Sequence, residues 1–297
     1  MLKRGQGDGD AAIRGPGLNE RIRRLLAEYL PGHQADSIRQ LGEGQEHAAY
    51  DVDGLIVRFV KGTDRSVVLH DARLLEAVAA ISPLPVPQPV FVDAEEGCLA
   101  YRRLNGIPLL DLAPVADGTS VGAELGGFLA ALHAVPASRM AELVDVDAQP
   151  LDGWLTDAAG EYEAVAASVP PEHQGWIEAF LAAPPPGPAA GLVFSHNDLG
   201  IEHVLVDPSS MRVQGIIDWS DAAITDPAYD LGLILRDLGP APLAAALGAY
   251  GPTTPGLVER AWCYARCSVL EDLRYGIESG KREYAEKSLA SLTWLST

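Results

Sequence analysis

The chain is 297 residues long, 47% apolar, and carries 41 acidic against 22 basic side chains for a formal charge of −19 at neutral pH. This apolar content is enough for one large or two small domains sharing a cleft, and the acidity disfavours broad attraction to nucleic-acid phosphates while favouring a cationic small-molecule partner. No apolar run reaches the ~18 residues of a membrane span. The N-terminus lacks the apolar segment of an export signal, which leaves the cytoplasm as the default compartment, and Cys98, Cys263 and Cys267 make neither a disulfide framework nor a zinc set.

Residues 1–18, rich in glycine and charge, read as a disordered leader. Asn19 to Leu30 has helical spacing, with Ile22, Leu25, Leu26 and Tyr29 on one side, and Pro31 and Gly32 stop it. Ser37 to Leu41, Ala48 to Val52 and Leu55 to Val60 read as three strands, the last two joined by a tight Asp53-Gly54 turn. Ser66 to Ala80 returns to the helical period. After the extended connector Leu84 to Pro87, Val90 to Val92 and Cys98 to Tyr101 form a hairpin around Glu95, Glu96 and Gly97. Beyond Arg103 the chain turns mainly helical, with a strongly apolar helix at Val121 to His133 and further helices at Glu259 to Ser279 and Arg282 to Leu295. The pattern is α+β: residues 19–103 form a small antiparallel-β lobe and 104–297 a larger helical one, with the break near Tyr101 to Gly106 and the ligand cleft between lobes.

The segment from Phe194 to Asp230 interrupts the helical part with a hairpin. His203 to Val206 and Val213 to Ile217 are β-rich runs around the turn Asp207 to Ser210. If Val206 pairs with Val213, antiparallel register sets His203 opposite Ile216 and Ile201 opposite Asp218. Asp198, His203 and Asp218 then crowd one end of the hairpin. That is the arrangement phosphoryl transfer needs: Asp198 orients and deprotonates a hydroxyl, and Asp218 holds Mg²⁺ on nucleotide phosphates. An uncompensated carboxylate at the end of an apolar strand is costly, which is why a metal partner for Asp218 makes physical sense.

His196, Asn197, Asp198 followed by His203 resembles the catalytic loop of the aminoglycoside and macrolide phosphotransferases, antibiotic-modifying relatives of protein kinases. Ile217 to Asp221 is similar to their metal-binding segment and Asp226 to Asp230 to the stretch after it. The resemblance implies a two-lobed protein-kinase-like fold, ATP or GTP as phosphate donor, and His203 beside Asp218 at the metal, although imidazole is a poor match to oxygen-preferring Mg²⁺. It also implies that Gly42 and Gly44 let backbone amides approach the phosphates, that Arg58 takes the place of the phosphate-binding lysine with Lys61 as rival, and that Asp71, or else Glu76, anchors Arg58. Tyr101 and Arg103 fall beside the nucleotide. Glu271 and Asp272 match a region where such kinases set acids against substrate amines, a solvated helix face being the competing reading; Asp221 and Asp226 are left to structural or substrate contacts. No Walker loop is present. The function expected is an O-phosphotransferase acting on an aminoglycoside, with a macrolide, a basic peptide antibiotic or a small amino alcohol as alternatives.

Overall fold

The structure is a computed structural model that describes residues 16–43, 47–115 and 117–297. Most of the expected leader, and Gly44 and Gln45 of the expected phosphate loop, lie outside the described residues. By contacts the chain divides into two compact units, one running to Ala80 and resuming over Val86–Leu104, the other comprising Ile81–Pro85 and Asn105–Thr297.

The first unit holds a helix α1 (Pro16–Tyr29), strands β1 (Ile38–Glu43), β2 (His47–Val52) and β3 (Leu55–Val60), a helix α2 (Val67–Ala79), and strands β4 (Pro89–Asp93) and β5 (Cys98–Arg102). The strands form one antiparallel sheet in the order β1-β2-β3-β5-β4. Asp53 and Gly54 both take positive φ, 48° and 84°, the geometry whose twist matches a two-residue hairpin. Because strand side chains alternate, Ala48, Tyr50 and Val52 of β2 and Leu55, Val57 and Phe59 of β3 share one face, where they bury against Ile22, Leu25 and Leu26 of α1. Each of those three helix residues contributes ~1.5–3 kcal/mol by leaving water. Arg21 and Arg24 pin α1 to Glu96 in the β4–β5 turn, and Tyr29 stacks on Phe91 with ring centroids 4.8 Å apart.

The second unit begins with the short strand β6 (Ile107–Pro108) and helices α3 (Thr119–His133), α4 (Leu151–Val165) and α5 (Pro171–Leu181). Strands β7 (Val193–Ser195), β8 (Val204–Val206), β9 (Val213–Ile216) and β10 (Ala223–Thr225) follow, then helices α6 (Ala228–Leu238), α7 (Pro240–Tyr250), α8 (Leu257–Ser279) and α9 (Arg282–Leu295). The α+β division expected from sequence is what the structure shows. The strands make two small sheets, β10-β7 and β6-β8-β9. Gly122 and Gly126 place α3 directly on the backbone of α7: a Cβ there would lie 2.3 Å from the Pro242 carbonyl oxygen and 2.0 Å from that of Ala246. Larger residues at these two positions would force the helices apart. Among the described residues no helix is long and apolar enough to cross a membrane.

The hairpin register differs from the expected one. Val206 does pair with Val213, but a bulge between Leu205 and Val206 sets Val204, rather than His203, opposite Ile216. An extra residue on one strand shifts everything beyond it by one. His203 instead accepts the Ile217 N–H through its carbonyl at 3.0 Å. Ile201 is not opposite Asp218: its N–H donates to Asp237 and its carbonyl accepts from Leu110.

Candidate active site

Asp198 sits in the loop between β7 and β8, and Asp218 follows β9, so the two short sheets deliver both acids. The residues just before each acid fix the loops. His196 is fully buried, donates its Nε2–H to the Ile217 carbonyl at 3.0 Å and packs edge-on against Trp219 at 4.6 Å. Burial pulls the imidazole of His196 down to about 4, keeping it neutral. Trp219 in turn donates to the Ile216 carbonyl and stacks on Phe194. Asn197 and Asp218 each adopt φ of 62°, a left-handed conformation that Asn and Asp tolerate better than most residues.

His203 lies between the two acids. Its Nδ1 donates to the Asp198 carbonyl at 2.8 Å and is 3.4 Å from Asp198 Oδ2, while Nε2 is 3.7 Å from Asp218 Oδ2. Burial works against the charged ring, yet Asp198, Glu202 and Asp218 together hold its pKa above the ordinary histidine value. The Asp198 carboxyl is pushed up to about 7, chiefly by desolvation and further by Glu202 and Asp221, with His203 pulling the other way. A base with a pKa near neutrality is ionised when needed and still takes up a proton readily.

The donor set can be tested against magnesium. Among the described residues no group of three or more His, Cys, Asp or Glu side chains gathers into a metal cage. Mg²⁺ does not require one, since it binds through one or two carboxylates plus phosphates and water. Asp218 fits: its side chain is 46% exposed and its Oδ1 is steadied by the Ser220 hydroxyl at 2.8 Å. The Nδ1 of His203 is engaged with the Asp198 carbonyl, and its Nε2 faces Asp218 from one side. Hydrogen bonding between the acids suits it better than ligation.

Behind this site stands a buried ionic cluster. Asp237 takes Arg236 in a two-pronged contact at 2.7 and 2.8 Å, accepts Lys287 Nζ at 3.1 Å and accepts the Ile201 N–H at 3.2 Å. Lys287, from α9, also reaches Glu202 at 3.1 Å and Asp272 at 3.2 Å. Asp272, expected at the substrate, is therefore an interior residue, held by Lys287 and by the Ser288 hydroxyl at 2.8 Å. Its neighbour Glu271 is exposed and lines a hollow of about 480 Å³ with Trp154, Asp157, Glu161, Cys267 and Arg274. Partial desolvation in the hollow raises the Glu271 pKa against the pull of Arg236, and the crowding acids Glu161, Asp272 and Asp157 raise it further. Trp154 packs 5.1 Å from Tyr229, whose hydroxyl pKa is raised well above the ordinary value by burial and then by the charges of Asp198 and Glu271. Asp226 is structural, gripped by Arg260 at 2.7 Å; Asp221 stands exposed near Asp198.

In the first unit, Gly42 lies in β1 opposite Ala49, next to a bulge at Gln40. Arg58 is half-buried on the sheet face away from α1, and among the described residues no acid lies within ion-pair distance of it. The expected Arg58–Asp71 pair does not form: Asp71 lies instead 3.2 Å from Nε2 of His47, which shares that face, though without hydrogen-bond geometry. Glu76 is exposed. Tyr101 pairs with Ile56 inside the sheet, and Arg103 binds Asp51 at 3.1 Å at the Gly54 end, alongside Arg39. The expected nucleotide contact of Arg103 therefore competes with an ion pair already present.

Sequence reasoning missed Asp230, Asp237, Arg236 and Lys287. A signal existed in DPAYDLGLILRDL: acids at helical spacing within an apolar run have to be paired inside.

Residues 37–263 match the model of the phosphotransferase enzyme family APH. Viomycin phosphotransferase of Streptomyces vinaceus is 26% identical over 275 residues, covering 89% of this chain and 95% of that one. Among solved structures, the GDP and kanamycin complex of APH(2")-IIIa superposes with a TM-score of 0.68 at 21% identity, over 92% of this chain and 97% of its own. Macrolide 2'-phosphotransferase MphH from Brachybacterium faecium gives a TM-score of 0.62 at 25% identity, over 92% and 98%.

Proposed function

This chain belongs to the APH phosphotransferase enzyme family, and from that premise we propose that it moves the γ-phosphoryl group of ATP or GTP to a hydroxyl of a polycationic antibiotic, an aminoglycoside in the first instance. The observation that carries the reading is the placement of His203 between Asp198 and Asp218. Asp198 accepts the hydrogen bond of the acceptor hydroxyl and takes its proton as the phosphoryl group arrives, alignment supplying much of the gain because the transition state is loose. His203 keeps the Asp198 backbone in place through Nδ1. Asp218 is the carboxylate for magnesium, which when bound offsets charge on the phosphates. In the first unit, the Arg58 guanidinium and the Gly42 backbone are the groups offered to the phosphates.

The acids around the 480 Å³ hollow support the substrate class. Asp157, Glu161 and Glu271 face few cations there beyond Arg274, so a ligand with several amines gains at each, whereas a macrolide with about one charge gains once. Likeness to viomycin phosphotransferase favours a second reading, a basic peptide antibiotic as acceptor in the same hollow. A screen of γ-labelled nucleotide with aminoglycosides, basic peptide antibiotics, macrolides and small amino alcohols tests the proposal. Label on a polycationic drug is expected; label only on a macrolide or an amino alcohol overturns it.

A further inference from the structure

Asp230, at the start of α6, accepts the backbone N–H groups on both sides of Asp198: Asn197 N at 2.9 Å on Oδ2 and Leu199 N at 3.1 Å on Oδ1. Its Oδ2 also accepts the Ser195 hydroxyl at 2.5 Å. A serine hydroxyl has one proton. Having given it to Asp230, Ser195 Oγ is an acceptor toward His133, whose Nε2 is 2.9 Å away. Nε2 must then carry the ring proton. Burial pulls the His133 pKa down to about 4 against the opposing pull of Asp230 and Asp226, so the ring is neutral at physiological pH and Nδ1 is a bare acceptor. Tyr250 OH, 2.8 Å from Nδ1, fills it.

One assignment of protons therefore satisfies every link. The chain runs Tyr250 to His133 to Ser195 to Asp230, each donor pointing toward the carboxylate that clamps the loop. Aligned bonds of this kind polarise one another. Its outer members are held rigidly, because Gly122 and Gly126 let α3 pack directly on the α7 backbone and the Tyr250 ring meets the His133 ring edge-on at 5.4 Å. Tyr250 is half-buried and closes the chain toward solvent.

We propose that Tyr250 and His133 are positioning residues for phosphoryl transfer, acting through Ser195 and Asp230 to hold the Asn197–Leu199 backbone and with it Asp198. The inference rests on the assignment of Asp198 as the base. Tyr250→Phe keeps the ring and removes only the first donor. Measured on the full chain, it should lower kcat about three- to tenfold, the scale of one hydrogen bond, with KM for acceptor and nucleotide within about twofold, the split expected when ground-state binding is untouched. Amide hydrogen exchange at Asn197 and Leu199 should quicken while the α3 and α6 cores stay protected. His133→Gln can still donate to Ser195 but offers no acceptor at the place of Nδ1; on that background Tyr250→Phe should add nothing. An active wild type whose Tyr250→Phe variant keeps both kcat and exchange unchanged overturns the chain. So does a double variant in which the two effects multiply as independent losses. A wild type that transfers phosphate to no acceptor overturns the proposed function rather than the chain, which exchange at Asn197 and Leu199 in Tyr250→Phe still supports if it quickens and overturns if it does not.

Discussion

Two groups of acids in the second unit are made of the same chemistry and do opposite things. Asp198 and Asp218 are 37% and 46% exposed at their side chains, with one imidazole between them. Asp237 and Asp272, in the cluster behind, are 1% and 9% exposed and are matched by Arg236, Lys287, a serine hydroxyl and a backbone N–H. What separates the groups is burial and the cations fixed against them. In the interior Asp237 has fixed donors on both oxygens and Asp272 is held by Lys287 and the Ser288 hydroxyl, so these acids hold elements in place; at the front both carboxylates are partly exposed and within reach of a ligand, with His203 between them and the Ser220 hydroxyl on Asp218. Asp237 and Asp198 titrate in opposite directions. Desolvation works against both charges, but Arg236 and Lys287 hold Asp237 well below the ordinary carboxylate range, whereas Asp198 rises to about 7.

The sign for stability follows from linkage. A depressed carboxylate such as Asp237 stabilises the fold above the unfolded value of ~4 and loses that contribution as pH falls below it. A raised one such as Asp198 is a liability above about 7, relieved as pH falls toward the unfolded value. The front acid is thus maintained at a cost to the fold.

Breaking the front group should produce the largest effect. Asp218→Ala should lower magnesium-dependent transfer by ~10³-fold, since a metal site supplies several kcal/mol of charge stabilisation; His203→Ala should cost less, and metal titration of both variants checks the order. Breaking the interior group should register in stability. Asp237→Ala leaves Arg236 and the Ile201 N–H without their partner and Lys287 with only Glu202 and Asp272, and denaturant unfolding should show a loss of ~3–5 kcal/mol.

The adjacent pair Glu271 and Asp272 sharpens the contrast further. Glu271→Gln should raise acceptor KM by ~2–5-fold, the yield of one partly solvated ion pair, with kcat little changed. Asp272→Asn should leave that KM unmoved. The smallest effect is on ionic strength: KM for a polycationic acceptor should rise as salt shortens the ~8 Å screening length of physiological buffer, while a macrolide shows little change.

Local signals carried much of this into the sequence. Hairpin, turns and helical periods were legible because each depends on neighbours along the chain, and the loop from His196 to Asp198 with Asp218 beyond it was legible because one hairpin joins them. The register slipped by one because a bulge at Leu205 and Val206 leaves no mark in the alternation of apolar residues. Asp272 was misplaced because its partner, Lys287, arrives from another helix. For Asp71 the competitor was His47, which shares a sheet face with Arg58 and lies closer to the acid. Pairings of this kind are decided by packing, which a single sequence states only indirectly. Asp230 lay in plain view, yet its task, holding the amides of Asn197 and Leu199, appears only once the loop is folded over it.

The most direct test is Asp198→Asn, followed by single-turnover transfer from γ-labelled nucleotide and by thermal unfolding on the same sample. The swap is nearly isosteric and removes the raised carboxylate, so unfolding should occur at or above the wild-type temperature while transfer slows by ~10²–10⁴-fold, the range for losing a positioned general base. A folded Asp198→Asn enzyme that transfers phosphate at close to the wild-type rate would contradict the assignment.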